Sequence, residues 1–420
     1  MIGLDRGLVR AAGACNWPRG CCFGNRSLDR SAFASKGYPR LNDRILQEVA
    51  EATSLREGTA GVEALLRAVH RNQSSRLADA AREARLPLPV ATAVRRELEK
   101  RGILMRQHGL AFTPNGQQWV RETLGFGSLL AIDVPLTPQA PLSPELEQVV
   151  RAISVHLAAA PQIDVTLDQA PCTAETSVRR AALLYRSGAL EGRRIALLGD
   201  DDSVSLAIGL LGRALADREL ARRLAVFEID PQRVEFLKQA AGTIGFAIEV
   251  VQHDLRDPLA PQLSDAFDAF ETDPPYTIAG ASLFVRRGIE ALEDGRGYGM
   301  LSFGHTAPRD RLKLQETLTS LGVATTALYP AFNSYAGASI LGSTSELHEM
   351  IASGRTSAAE RWQGALYTAE VNPRIRLYAC TQCGRRFSLG SDGIPSTIEA
   401  LKTIGCPACG NHAFRRVRSS

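Results

Sequence analysis

The stretch from Arg193 to Tyr276 constrains this chain more than any other. It contains RRIALLGDDD, then AVFEIDP, then EVVQHDLRD, then AFDAFETDPPY. Each is a short apolar run ending in an acidic or glycine turn, and helical patterns or loops separate them. Strands that alternate with helices in this way build a parallel α/β sheet. Ligands of such sheets bind outside the carboxyl ends of the strands. Here those ends carry Asp200, Asp201, Asp202, Glu228, Asp254 and Asp273. A rim of carboxylates with no GKS/T phosphate loop selects a cationic ligand.

Charge is unevenly spread. Residues 195–350 hold 13 Lys/Arg against 22 Asp/Glu, whereas residues 351–420 hold 10 against 4. An acidic middle therefore lies between basic ends, although the net charge of the 420 residues is only +4. No apolar run approaches the ~20 residues of a membrane span, and the start lacks a signal-peptide core. A soluble, cytoplasmic protein is expected. Eight cysteines in this length are too few for a disulfide scaffold.

Along the chain, residues 1–40 show no apolar period and read as a disordered or mis-called start, with Cys15, Cys21 and Cys22 as incidental thiols. Residues 42–122 read as a helical unit. Val62, Leu65, Leu66 and Val69 recur at helical spacing, Ser75 is a candidate cap, and a helix over 89–101 ends at Gly102 before a two-stranded wing. This winged-helix-like order suits nucleic-acid binding, but four basic residues against two acidic ones make a weak footprint in the presumptive recognition helix. Dimerisation or covering a substrate is the competing reading. Residues 123–160 read as a linker and helix, 161–350 as the sheet domain, 351–376 as a connector and 377–420 as a metal-binding tail.

The motifs carry the chemistry. Gly199 permits a tight turn. The three aspartates after it raise one another's pKa, a cost that a polycation relieves; the bland alternative is a solvated acidic turn capping the next helix. Glu228 is placed to accept from ribose hydroxyls, Asp254 from an adenine amino group, and Asp230 to cap a helix beginning at Pro231. In Asp273-Pro274-Pro275-Tyr276 two prolines stiffen a loop that holds an acid and a ring over the sheet edge, the pattern of an amine-alkylating site. His305 and His253 read as incidental or structural. Cys380-x2-Cys383 and Cys406-x2-Cys409, each followed by a glycine, match a closed tetrahedral zinc site with a structural role.

These motifs resemble those of two families. Class-I methyltransferases acting on exocyclic amines carry [DN]PPY in this place. The fuller match is to the branched-chain polyamine synthases. It rests on Asp168-Gln169, Thr173 to Thr176, Leu198 to Asp202, Glu228-Ile229-Asp230, Asp254-Leu255-Arg256, Asp273 to Tyr276, and Phe332-Asn333-Ser334-Tyr335. The resemblance spans roughly residues 40–345, and the four-cysteine tail departs from it. It implies a Rossmann-type, class-I methyltransferase-like α/β domain with a winged-helix-like domain before it; the zinc ribbon after it is expected from the cysteine spacing alone. The activity the resemblance implies is aminopropyl transfer from decarboxylated S-adenosylmethionine to spermidine or a similar polyamine, in a homodimer.

On this reading Asp200 and Asp273 form the pair at the reacting centre, and Tyr276 faces the amine or the transferring carbon. Asp201 and Asp202 grip ammonium groups, and Asp168 and Gln169 close the amine tunnel. The runner-up is an S-adenosylmethionine-dependent methyltransferase acting on a nucleic-acid base; a DNA-binding regulator with a dead nucleotide fold is the non-enzymatic alternative.

Overall fold

A computed structural model describes residues 44–417 apart from 73–75, 108, 128–133, 138–139, 217–218, 337–343, 356–359, 372–375, 390–394 and 396–397. The readings placed on residues 1–40, on Cys15, Cys21 and Cys22, and on a cap at Ser75 lie outside the described residues.

Helices α1 (Arg44–Ala52), α2 (Gly58–Arg71), α3 (Leu77–Glu83) and α4 (Leu88–Lys100) precede a hairpin of β1 (Leu104–Arg106) and β2 (Leu110–Phe112) and then α5 (Pro114–Thr123). Four helices thus precede a short two-stranded hairpin. The stripe Val62, Leu65, Leu66 and Val69 is wholly buried, as its helical spacing requires. Gly102 ends α4 with φ +69°. On α4, Arg95 pairs with Glu99 at 2.9 Å, and Glu97 takes both Lys100 at 2.6 Å and Arg101 at 2.7 Å. Two carboxylates thus pair with three of the four basic residues of the presumptive recognition helix, which keeps a net charge of +2.

After α6 (Pro144–Leu157) and α7 (Ala174–Ser187), the chain builds β3 (Arg194–Leu198), α8 (Val204–Ala216), β4 (Arg223–Glu228), α9 (Pro231–Ile244), β5 (Glu249–Gln252) and β6 (Ala269–Thr272). It continues through α10 (Ile278–Ala291), β7 (Arg296–Gly304), α11 (Pro308–Ser320), β8 (Val323–Ser334) and β9 (Thr344–Ser353). Glu175 and Thr176 lie inside the first turn of α7, not before it, because Thr173 is the cap. The sheet order is β5-β4-β3-β6-β7-β9-β8, parallel except for β9, which runs antiparallel between β7 and β8. β3 is buried along its length, as expected of a strand covered on both faces. One apolar core lies under α6 to α9 and a second under α10 and α11. The strand order reverses between β3 and β6, and such a switch point opens a crevice.

The tail comprises α12 (Thr368–Val371), β10 (Arg376–Cys380), β11 (Arg386–Leu389), α13 (Ile398–Ile404) and β12 (Phe414–Val417), with β10 central in a three-stranded antiparallel sheet. No helix among the described residues is long and apolar enough to cross a membrane.

The helical unit is tied to the sheet domain through arginines. Arg67 bonds to Glu63 at 2.9 Å and lies 3.6 Å from Glu191, all three buried. Arg71 donates to the carbonyls of Tyr185 and Arg186 at the end of α7. Removing one partner of a buried ion pair costs about 3–5 kcal/mol, because the other charge stays buried. Arg67→Met is therefore expected to lower the unfolding free energy extrapolated from urea titration by about that margin; an unchanged midpoint would show that the tether contributes nothing.

Candidate functional site

The turn after β3 is where the site begins. Gly199 has φ +74°, and Ser203 follows with φ +55°. The chain turns so sharply here that the three consecutive aspartates between them point in three directions.

Asp200 turns back onto its own helix. Its carboxylate accepts from the Val204 N–H at 2.6 Å and from the N–H and hydroxyl of Ser205. Burial pushes it up to about 8, against the lowering pull of Ser205. Asp202 turns to the sheet interior, where it pairs with Arg180 and accepts the Cys172 N–H at 2.5 Å. Only Asp201 turns outward. It accepts the Ala170 N–H at 2.9 Å, and burial together with the nearby Asp273 and Glu228 raises it to about 6.

Asp201 lines a cleft, open at its mouth, at the carboxyl ends of β3 to β6. Asp168, Gln169, Gly199, Glu228, Asp254 and Asp273 line the same cleft. Each oxygen of Glu228 accepts one backbone N–H, from Asp200 at 3.1 Å and Asp230 at 3.0 Å, and burial raises its pKa. Asp254 accepts the Arg256 N–H at 2.9 Å. Gln169 donates to Asp230 at 3.0 Å, while Asp230 also caps α9 by accepting the Gln232 N–H at 2.9 Å. Asp168, raised by burial, accepts the Thr368 N–H at 2.6 Å.

Asp200, Asp202 and Tyr276 do not line this cleft, which corrects the roles expected of them at its surface. Asp200 is a helix cap and Asp202 is the partner of a buried arginine. Tyr276 lies behind the carboxylate rather than over it: its hydroxyl donates to Tyr335, and its ring meets Phe303 edge-on at 5.5 Å.

Arg180, 1 % exposed, is the residue that sequence reasoning missed. It projects from α7 into the acids. One Nη reaches Asp202 and lies 3.4 Å from Glu271, the other reaches Asp273 at 2.5 Å, and Nε donates to Asn333 at 2.9 Å. Tyr335 donates to the same Asp273 oxygen, Oδ2, at 2.6 Å. Asp273 Oδ1 carries no hydrogen bond among the described residues. Burial raises Asp273 to about 6, although Arg180 pulls the other way. Glu271 is buried further and is raised well above the carboxylate range. A signal for Arg180 was available: three adjacent aspartates demand a counter-charge, and an arginine on the buried stripe of α7 beside Val178 and Ala182 supplies it.

The second omission is the strap before the tail, read from sequence only as a connector. Leu366 and Tyr367 form part of the cleft wall. The strap is held by Trp362 N–H to the Arg256 carbonyl at 2.7 Å, Thr277 to the Leu366 carbonyl at 2.7 Å and Arg256 to Glu370 at 2.9 Å. The Asp273 loop in turn presses on α10, where a Cβ at Gly280 would stand 2.3 Å from the Pro275 carbonyl oxygen.

Apart from the cleft, the sulfurs of Cys380, Cys383, Cys406 and Cys409 all lie within 4.8 Å of one another. Around a tetrahedral ion with ~2.3 Å metal–sulfur bonds, sulfurs stand about 3.8 Å apart, so the four thiols fit a soft metal ion. Gly384 and Gly410, at φ +74° and +72°, make the turns around them.

The sheet order and the acid-lined crevice define a class-I methyltransferase-like α/β enzyme with a site for a cationic ligand. A family model for the branched-chain polyamine synthase A C-terminal domain matches residues 148–385, more than half of the chain. The chain belongs to the branched-chain polyamine synthase family. An uncharacterised protein of Methanocaldococcus jannaschii is 31 % identical over 91 % of this chain and 96 % of its own. The N(4)-bis(aminopropyl)spermidine synthase of Thermus thermophilus is 32 % identical over 70 % of this chain and 81 % of its own. A solved structure of the branched-chain polyamine synthase from Thermus thermophilus, in complex with N4-aminopropylspermidine and 5'-methylthioadenosine, is 27 % identical with a TM-score of 0.48, covering 78 % of this chain and 98 % of that one. The family match ends between the two cysteine pairs.

The raised carboxylates set a pH dependence. Asp201 and Asp273, both at about 6, are ionised at pH 8 and largely protonated at pH 5. A polycation binds the ionised form, so its affinity should fall as pH drops through 6. Calorimetric titration with a linear polyamine at pH 8 and pH 5 is expected to show at least tenfold weaker binding at the lower value. Equal affinities would mean that these acids do not face the ligand.

Proposed function

We propose that the chain transfers an aminopropyl group from decarboxylated S-adenosylmethionine to an amine of spermidine or a similar linear polyamine, in the cytoplasm. The supporting observation is the cleft itself: Asp168, Asp201, Glu228, Asp254 and Asp273 converge on one space. A donor with a sulfonium and a free ammonium, and a polyamine acceptor, are both cations matched to it.

In the reaction the amine lone pair attacks the methylene carbon beside the sulfonium. A C–N bond forms, the C–S bond breaks and its electron pair stays on sulfur, releasing methylthioadenosine. The attacking nitrogen must first lose its proton, yet an alkylamine of pKa ~10.4 is neutral in fewer than about one molecule in a thousand at pH 7. Asp273 accepts that proton on Oδ1, while Arg180 and Tyr335 hold Oδ2. Its rise to about 6 from the usual 3.8 narrows the gap to the amine by roughly 3 kcal/mol. Asp201 and Asp254 bind the remaining ammonium groups, and Glu228 holds the ribose hydroxyls of the donor. Asp168 and Gln169 close the cleft on the side where Thr368 meets them. Asp200 acts at one remove by fixing the turn that aims Asp201. Tyr276 likewise supports Asp273 through Tyr335.

We infer that the four-cysteine site holds zinc. With four thiolates the ion has no open position, so it organises the tail and takes no part in the transfer. A homodimer remains the expected assembly.

Incubation with spermidine and decarboxylated S-adenosylmethionine should release methylthioadenosine. With S-adenosylmethionine in its place no methylated amine or base should form; methylated product instead would establish the rival methyltransferase. Asp273→Asn is expected to lower kcat by ~10²–10⁴-fold, the span of general-base catalysis, with kcat/KM of the natural chain declining below about pH 6. An Asp273→Asn enzyme with near-normal turnover would remove this residue from the chemistry. Metal analysis of the purified chain should give one zinc per chain, and a folded tail without metal would contradict the zinc assignment.

A further inference from the structure

The tail carries a feature that the transfer reaction does not use. Arg376, Arg385, Arg386, Arg415 and Arg416 are all exposed, and none has an acidic partner among the described residues. Some exposed or half-exposed arginines elsewhere are paired with acids, as Arg223 is with Glu249 and Arg311 with Glu346.

The strand register arranges these unpaired charges. Ala379 at the centre of β10 stands opposite Arg386 of β11 on one side and Arg415 of β12 on the other. Residues opposite one another in antiparallel strands share a face, so two guanidinium groups flank a small residue on a flat shelf. Strand spacing sets them about 10 Å apart. Each strand of a duplex carries a phosphate every ~3.4 Å of helix axis and an extended single strand spaces them more widely, so this span reaches from one phosphate of a single strand to a near neighbour. The next row, on the opposite face, is Phe387, Tyr378 and Arg416. Phe387 and Phe414 meet edge-on at 5.5 Å, and both rings are half-exposed.

We propose that this ribbon binds single-stranded nucleic acid, chiefly through its phosphates. Like charges on one face repel one another unless an anion lies across them, and a polyanion fits a row of arginines better than an isolated acid does. The half-exposed rings beside Arg416 give unpaired bases an apolar surface, which a duplex does not need. The winged-helix-like unit is the weaker candidate, because three of the four basic residues at α4 are already engaged by Glu97 and Glu99. The proposal is independent of the reading of the cleft, which lies in the sheet domain.

The test uses the full chain loaded with zinc and fluorescence anisotropy of labelled 20-nucleotide poly(U), an equally long single-stranded DNA and the same length of duplex DNA. Binding of the single strands is expected to weaken with salt with a log–log slope of about −3, at ~0.7 per phosphate contact for four or so contacts. R386E/R415E should weaken it at least tenfold, with zinc content and polyamine activity unchanged, whereas R386K/R415K should retain it. No binding at 50 mM salt, binding unaltered by R386E/R415E, or preference for the duplex would each overturn the proposal. So would loss of a dimer in R386E/R415E without any nucleic-acid binding by the natural chain, which would instead dock the shelf on the acidic rim of a second copy.

Discussion

The guanidinium of Arg180 is the one positive charge on which the catalytic end of the sheet depends. It lies within ion-pair distance of Asp202, Glu271 and Asp273, drawn from the turn after β3, from β6 and from the loop after β6. These segments are held in register by the sheet, but their carboxylates are buried and would repel one another without it. One cation cannot neutralise three acids, and Asp201 and Glu228 stand close by with the buried Arg233 drawing both down. The cluster is therefore under-neutralised by design of the chain. Glu271 responds by being raised furthest and holding its proton, and Asp273 and Asp201 by moving to about 6.

This arrangement also divides the acids by task. Those bound to Arg180 or to backbone N–H groups on both oxygens are fixed in place, and they shape the cleft without changing partner. Asp273, like Asp168 and Asp201, has only one oxygen held, but there two donors, Arg180 and Tyr335, hold it. A carboxylate clamped at Oδ2 by Arg180 and Tyr335 keeps its orientation when Oδ1 gains or loses a proton. Such pre-organisation is what a proton acceptor at a reacting centre requires. Tyr276 and Ser345 extend the clamp, since both contact the Tyr335 hydroxyl.

Much of this was legible in the sequence, and the boundary falls at a definite place. Apolar runs and their terminal acids located β3, β4, β5 and β6, and with them the cleft-lining Asp201, Glu228, Asp254 and Asp273. The cysteine spacing located the metal site because the ligands lie in two local turns. What sequence could not show was direction. Asp200, Asp201 and Asp202 are adjacent and chemically identical, and only the backbone angles at Gly199 and Ser203 decide that one caps α8, one faces the cleft and one meets Arg180. Pairing across long separations was equally hidden: Arg180 is 93 residues from Asp273, and Thr368 is 200 from Asp168. The strap was missed for the same reason, since Leu366 and Tyr367 carry no pattern that points back to Thr277 and Arg256.

The same electrostatics separate the two donors that a fold of this class can take. S-adenosylmethionine differs from its decarboxylated form by one carboxylate, carried near the transferable chain. In this cleft that group would lie among Asp168, Asp201, Glu228, Asp254 and Asp273. At an effective dielectric of about 20, two like charges ~8 Å apart repel by roughly 2 kcal/mol. Two or three such neighbours, partly screened by salt, amount to some 3–5 kcal/mol, a preference of about 10²–10³-fold at ~1.4 kcal/mol per decade. Arg180 offers the carboxylate little relief, because it is buried behind Asp273 and already engaged. On the function proposed here, a fold shared with methyltransferases turns toward the decarboxylated donor through the sign of its rim, with no change in the sheet.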